Sequence, residues 1–269
     1  MLRFIPFRCK FGQPKKGVEA GPQAILRHLR ARMPVHAVPS IGITSCADYA
    51  KGAWANRVDR TNRAFVNVNL GGDHSISACT IQPYINYYGE DLLVLWIDAH
   101  ADVNTYTASL TKNRHGMPVA SLLGLMPPWY TSSKPRQNLS PRNLIYYGLR
   151  DVDPFEAQVL TRYCISVWPK FDPGLLAALQ RHPAKFIYIS CDIDGLDPSV
   201  MPSTGTPVPG GLSLDDVISV IQGTRKRLIG MDLVEFNPFI GRPDEVQKTL
   251  AGITAIVQAV KPVQRALSR

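Results

Sequence analysis

The sequence predicts a layered α/β domain, and three features carry that reading. Short apolar runs alternate with amphipathic stretches from one end to the other, the rhythm of successive βα units. The run 92–97, Leu-Leu-Val-Leu-Trp-Ile, is apolar without alternation, which suits a strand covered on both faces in a parallel sheet. Polar residues gather directly after several of these runs, and open α/β sheets bind their ligands at the carboxyl ends of strands.

Strand-like runs occupy residues 2–7, 65–70, 92–97, 144–147, 186–190 and 228–234. The first helical pattern begins after Gly21 and continues through Ile25, Leu26 and Leu29. Pro22 sits in its first turn, where a missing N–H costs nothing. Further helical patterns follow His115, Pro154, Asp172 and Ser213, and the last spans residues 245–260. Residues 127–141, rich in Pro and Ser, read as a surface loop. No repeat or linker divides the chain, so one catalytic domain over residues 1–269 is expected.

Composition narrows the function. Lys and Arg number 30 against 21 Asp and Glu, a net charge of +9. The basic residues are scattered, and the densest run, Arg225-Lys226-Arg227, stands where a helix end welcomes cations. A solvated basic surface is therefore expected, with neither nucleic acid nor membrane as partner. The five cysteines are odd in number and lack a C-x-x-C pair, against structural zinc and a disulfide framework. No apolar run approaches the roughly 20 residues of a membrane span, and the start lacks a secretory pattern. A cytoplasmic location is expected.

The chemistry lies behind the strands. Gly71-Gly72-Asp73-His74-Ser75 follows the second run, and Asp98-Ala99-His100-Ala101-Asp102 follows the third. Asp192-Ile193-Asp194-Gly195 follows the fifth, and Glu235 the sixth. In extended backbone, residues i, i+2 and i+4 point the same way, so Asp98, His100 and Asp102 can converge, as can Asp192 and Asp194. With His74 they make four carboxylates and two imidazoles in one cleft. Such a density of negative charge asks for divalent cations. Carboxylate and imidazole without thiolate favour a harder ion such as Mn²⁺, and two shareable carboxylates suffice for two ions. Each motif alone has a plainer reading as a turn or a cap, with Asp73 or Ser75 capping a strand-to-helix turn.

Together these motifs resemble the ureohydrolases, the family of arginase and agmatinase. The signatures stand as Gly71–Ser75, Asp98–Asp102 and Ser190-Cys191-Asp192-Ile193-Asp194-Gly195-Leu196-Asp197-Pro198. The resemblance runs from Phe11 to the last helix. It implies a three-layer α/β/α sandwich around a mainly parallel sheet, with two Mn²⁺ per subunit. His74, Asp98, Asp102 and Asp192 would hold one ion, and Asp98, His100, Asp192 and Asp194 the other. Within the family, Gly12-Gln13-Pro14-Lys15-Lys16-Gly17-Val18, His115-Gly116-Met117-Pro118-Val119, Gly148-Leu149-Arg150-Asp151-Val152-Asp153-Pro154 and Val234-Glu235-Phe236-Asn237-Pro238 look like the arginase forms.

That resemblance implies hydrolysis of L-arginine to L-ornithine and urea by a hydroxide bridging the ions. Asn104, Ser109, Thr111 and Asn113 match positions that recognise the α-carboxylate, and Asp153 and Glu156 match the acids that meet the α-ammonium. Glu235 would hold the guanidinium, Asp102 would pass a proton to the leaving amine, and Thr206 would contact the site. His115 would shuttle protons, a task suited to an unperturbed imidazole near pKa 6.5. The family also implies a homo-oligomer, a trimer or hexamer. Three features depart from the pattern: Lys112 and Arg114 make the recognition loop more basic, Asp215-Asp216 replaces a pair used between subunits, and the spacer 49–63 is shortened. Alternatives are a ureohydrolase for agmatine or another guanidino compound, and a catalytically silent relative.

Overall fold

A computed structural model describes residues 1–56, 65–127 and 135–261. Its strands are β1 (Leu2–Cys9), β2 (Ile41–Ile43), β3 (Val66–Leu70), β4 (Leu92–Ile97), β5 (Leu144–Tyr147), β6 (Ser166–Trp168), β7 (Phe186–Asp192) and β8 (Leu228–Val234). They form one eight-stranded sheet in the order β2-β1-β3-β8-β7-β4-β5-β6. Every pairing between these strands is parallel. The helices are α1 (Gly21–Arg30), α2 (Tyr49–Ala55), α3 (Ser77–Thr80), α4 (Gln82–Tyr88), α5 (Pro118–Leu122), α6 (Pro154–Arg162), α7 (Pro173–Arg181), α8 (Leu214–Thr224) and α9 (Pro243–Val260).

The helices cover both faces. Alternation along β4 shows why: Leu93, Leu95 and Ile97 enter one apolar core with Leu26, Leu179, Ile221 and Ile253, from α1, α7, α8 and α9. Leu92, Val94 and Trp96 enter the other with Cys79, Ile85, Leu122 and Val159, from α3 to α6. The unbroken apolar run is thus a strand buried on both faces, and the molecule is an α/β/α sandwich. Among the described residues no helix is long and apolar enough to cross a membrane.

Three helix starts are fixed by side chains. Asp153 and Glu156 form a reciprocal capping box on α6, and Ser213 and Asp216 form another on α8. Asp172 caps α7 by accepting from Gly174 N at 2.6 Å. Such caps stabilise a helix by about 1 kcal/mol each. Arg227, expected to serve the end of its own helix, instead closes α7: its guanidinium donates to the carbonyls of Leu179, His182 and Ala184. The edge strands β2 and β6 and the helices α2 to α4 add to the elements legible in the sequence, and α9 starts at Pro243. The shortened spacer 49–63 and the loop 127–141 lie partly outside the described residues.

Candidate active site

The central four strands, β3-β8-β7-β4, all deliver residues to one place. Leu70 ends β3 and passes through Gly71-Gly72 to His74, while β8 runs into Glu235. Asp192 ends β7, and Asp98 follows β4 directly. The turn after β3 needs glycine, because a Cβ on Gly72 would lie 1.7 Å from the Cys9 carbonyl oxygen. Asp73 caps the single 3-10 turn beyond it, accepting from Ser75 N at 3.0 Å, and its other oxygen accepts from Gly12 N at 2.8 Å. The plain reading of that motif as a cap therefore holds: Asp73 caps the turn that carries His74.

The acids converge as the spacing implied. His74 Nδ1 lies 3.0 Å from Asp98, 3.1 Å from Asp102 and 3.4 Å from Asp192. His100 Nδ1 lies 3.2 Å from Asp194 and 3.4 Å from Asp98. Two groups suited to a cation result, His74 with Asp98 and Asp192, and Asp98 with His100 and Asp194; Asp98 belongs to both. His74 Nδ1 is buried without a hydrogen-bond partner although three carboxylates surround it, the arrangement of a nitrogen lone pair directed at a metal. Its other nitrogen, Nε2, lies 2.8 Å from Ser190 Oγ, and its ring stacks on Trp96 at 4.2 Å. The Trp96 indole N–H donates to Asp98 at 3.0 Å, and Thr206 Oγ1 donates to Asp194 at 2.8 Å. These outer contacts fix the angles at which the acids and imidazoles meet.

Burial dominates the electrostatics. It pushes the carboxyls of Asp192 and Asp194 up, aided by their negative neighbours. Burial and the charge of Asp98 raise Asp102 to about 6. Burial opposes the charged form of His100, yet Asp194 and Asp98 outweigh it and push that imidazole up to about 12. Asp102 holds a left-handed backbone, φ 52°, and so does Glu235, φ 67°. A non-glycine residue in this region is uncommon and clusters at functional sites.

Glu235 links the cluster to His115 and Gln13. It is 1% exposed. Its Oε1 accepts from His74 N at 2.8 Å and lies 3.3 Å from His115 Nδ1, and its Oε2 accepts from Gln13 Nε2 at 2.6 Å. The unperturbed imidazole expected at His115 is corrected here. Burial lowers its pKa, but Glu235, then Asp102 and Asp73, overcome that and push it up to about 9.

The recognition loop falls into two pairs. Asn104 Nδ2 donates to Asp153 at 2.5 Å, an amide beside an acid. Ser109 and Thr111 hydroxyls share a hydrogen bond of 3.4 Å and accept backbone N–H groups, Ser109 from Lys112 and Thr111 from Asn113; one hydroxyl proton is spent between them and the other is left to donate. Glu156 is not placed for direct recognition. It is 6% exposed, and its oxygens accept from Val103 N at 3.3 Å and Asp153 N at 3.2 Å. It supports Asp153 instead. Lys112 has φ 59° and folds back to donate to the Tyr106 carbonyl at 2.8 Å.

Sequence reasoning assigned no role to Gln13, Ser190, Trp96 or Arg150. The first, second and fourth sit inside recognised motifs, so their position was visible and their contacts were not. Arg150 donates to the carbonyls of Gly148, Asp194, Gly195, Leu196 and Val208 at 2.6–3.4 Å, tying three loops beneath the cluster.

An α/β/α sandwich with a buried His/Asp cluster at the ends of its central strands defines a class of protein suited to divalent metal. A model of the arginase family matches residues 2–260. Arginase-1 of Oryctolagus cuniculus is 33% identical over 94% of this chain and 90% of its own length. The crystal structure of arginase from Bacillus subtilis superposes with a TM-score of 0.84, at 25% identity over 99% of each chain. That of Entamoeba histolytica arginase in complex with L-ornithine gives 0.80, at 28% identity over 95% of this chain and 97% of its own. The chain belongs to the arginase family of ureohydrolases.

Proposed function

We propose that the chain is an arginase, hydrolysing L-arginine to L-ornithine and urea with two Mn²⁺. The observation that carries the substrate is the pairing of Asn104 with Asp153; Ser109 and Thr111 add hydroxyls on the same loop. An amino-acid head needs both an acid for its ammonium and neutral donors for its carboxylate. The Entamoeba histolytica relative binds L-ornithine, the expected product, which supports the same reading.

His74, Asp98, Asp102 and Asp192 would hold one ion, and Asp98, His100, Asp192 and Asp194 the other; the orphaned Nδ1 of His74 fits that assignment. When bound, the ions neutralise the acids and lower the pKa of water towards ~7. The remaining work belongs to side chains. Glu235 pairs with the guanidinium at the cluster's mouth. Water oxygen adds to the guanidinium carbon as Asp102 takes one of its protons, and the C–N bond to the side-chain nitrogen breaks as Asp102 passes that proton to the departing amine. His115 returns a proton to solvent from its place against Glu235.

Urea release separates the readings. Purified protein supplied with Mn²⁺ should turn over arginine and reject agmatine by about 10⁴, since a site built for a carboxylate leaves its donors unpaired when none arrives. Comparable turnover of the two would overturn the roles given to Asn104, Ser109, Thr111, Asn113 and Asp153. The second reading is a carboxylate-bearing guanidino acid such as guanidinobutyrate. The folded-back Lys112 favours it over agmatine, because a cationic rim repels a second positive charge.

A further inference from the structure

Behind the acid cluster lies a second buried carboxylate that the proposed chemistry does not use. Asp232 is fully buried in the middle of β8. It pairs in register with Asn69 of β3 on one side and Ser190 of β7 on the other. Four donors surround it. Oδ1 accepts from Tyr188 at 2.6 Å and Asn69 at 2.8 Å, and Oδ2 accepts from Ser77 at 2.7 Å and Thr80 at 2.8 Å. Its oxygens are therefore acceptors throughout, and among the described residues no cation offsets the cost of burying them.

The sense of the neighbouring hydrogen bonds follows from that. Ser77 gives its single proton to Asp232, so its oxygen must accept from Ser190, 3.0 Å away. Ser190 has then spent its proton, so its oxygen must accept from His74 Nε2, 2.8 Å away. A neutral imidazole that carries its proton on Nε2 presents a bare lone pair on Nδ1, the atom facing the acid cluster. We infer that Asp232 is a positioning residue that sets the tautomer of His74 through Ser77 and Ser190, and so sets metal affinity from deeper along the same face of the sheet. Thr80 and Tyr188 serve the same carboxylate but are off the path to His74.

The inference rests on the metal part of the proposed function and is independent of the substrate. Its test is the Mn²⁺ dissociation constant, from competition with a chelator, on full-length protein checked for folding by circular dichroism. Asp232→Asn, Ser77→Ala and Ser190→Ala should each weaken Mn²⁺ binding by about 10–100-fold, the usual cost of losing an outer partner of a metal-bound imidazole. Thr80→Ala should lower Tm and leave the affinity within about threefold of the wild type. The double variant Ser190→Ala/Asp232→Asn should bind as Ser190→Ala alone does, because the path is already cut. Additive losses would mean that Asp232 acts through general packing, and the relay is then wrong. Variants that bind as tightly as a Mn²⁺-binding wild type overturn the relay alone. A wild type that holds no Mn²⁺ overturns the metal reading and the relay with it.

Discussion

His115 sits between two demands, to exchange protons and to stay beside Glu235. Burial alone would favour its neutral form, but the Glu235 carboxylate 3.3 Å away holds the imidazolium and moves its pKa to about 9. A proton acceptor must be neutral to work, so the rising limb of kcat/KM for arginine should lie above pH 6.5. A limb centred near 6.5 in the pH profile would show that Glu235 does not control it. His115→Asn should keep bound metal and fold, lose about 10²–10⁴ in kcat, and lose the alkaline limb. Asp153 needs a gentler substitution. Its carboxylate caps α6, so Asp153→Ala removes about 1 kcal/mol of helix stability as well as any contact to substrate. Asp153→Asn retains a capping oxygen and removes only the charge. It should cut kcat/KM for arginine by more than tenfold with Tm nearly unchanged, and should affect guanidinobutyrate, which has no ammonium, far less. Equal losses on the two substrates would take Asp153 out of ammonium recognition.

At the scale of elements, β4 and the motif behind it were legible because their signals are local. An unbroken apolar run marks burial on both faces, and period-two spacing marks convergence. The edge strands β2 and β6, each three residues long, are too short to show any period. Helix α3 was hidden for another reason: it turns Ser77 and Thr80 inward to Asp232, so its buried residues mix polar with apolar. The same seam explains why Asn69, Ser190 and Asp232 were passed over inside strands that read as apolar. Arg150 belongs to this class too, since a guanidinium spread over the carbonyls of three loops leaves no sequence pattern. Those carbonyls lose their donor together in Arg150→Met, which should cost about 3 kcal/mol and lower Tm by roughly 6 °C or more. Arg150→Lys should recover little, because one ammonium cannot reproduce a planar fork. Full recovery by lysine would reduce Arg150 to a point charge.

The whole molecule concentrates its electrostatic cost in one place, and the pH dependence of its stability follows from that. Asp102 is raised to about 6 from an ordinary 3.8, and Glu156 to about 7 from 4.5. In both, burial is the main cause, so the folded state binds more protons than the unfolded one between each pair of values. Stability then falls as pH rises through those windows. His115 and His100 are raised above 6.5, to about 9 and about 12. Their stabilising contribution is whole below 6.5 and is lost as pH climbs towards the folded values, which is the same direction. Asp98 and Glu235 are lowered instead: burial opposes this, but the neighbouring imidazoles outweigh it. Their contribution is lost only in acid, below the ordinary carboxylate range, and is constant from pH 5 to 8. Protein treated with a chelator should therefore have a falling Tm from pH 5 to pH 8. Saturating Mn²⁺ binds the folded state and stabilises it by mass action, and it competes with protons for the same carboxylates and imidazoles. The gain in Tm on adding Mn²⁺ should accordingly be small at pH 5 and largest at pH 8. A chelated protein whose Tm rises across this range, or a gain from Mn²⁺ that is independent of pH, would show that the buried acids are not what the metal neutralises.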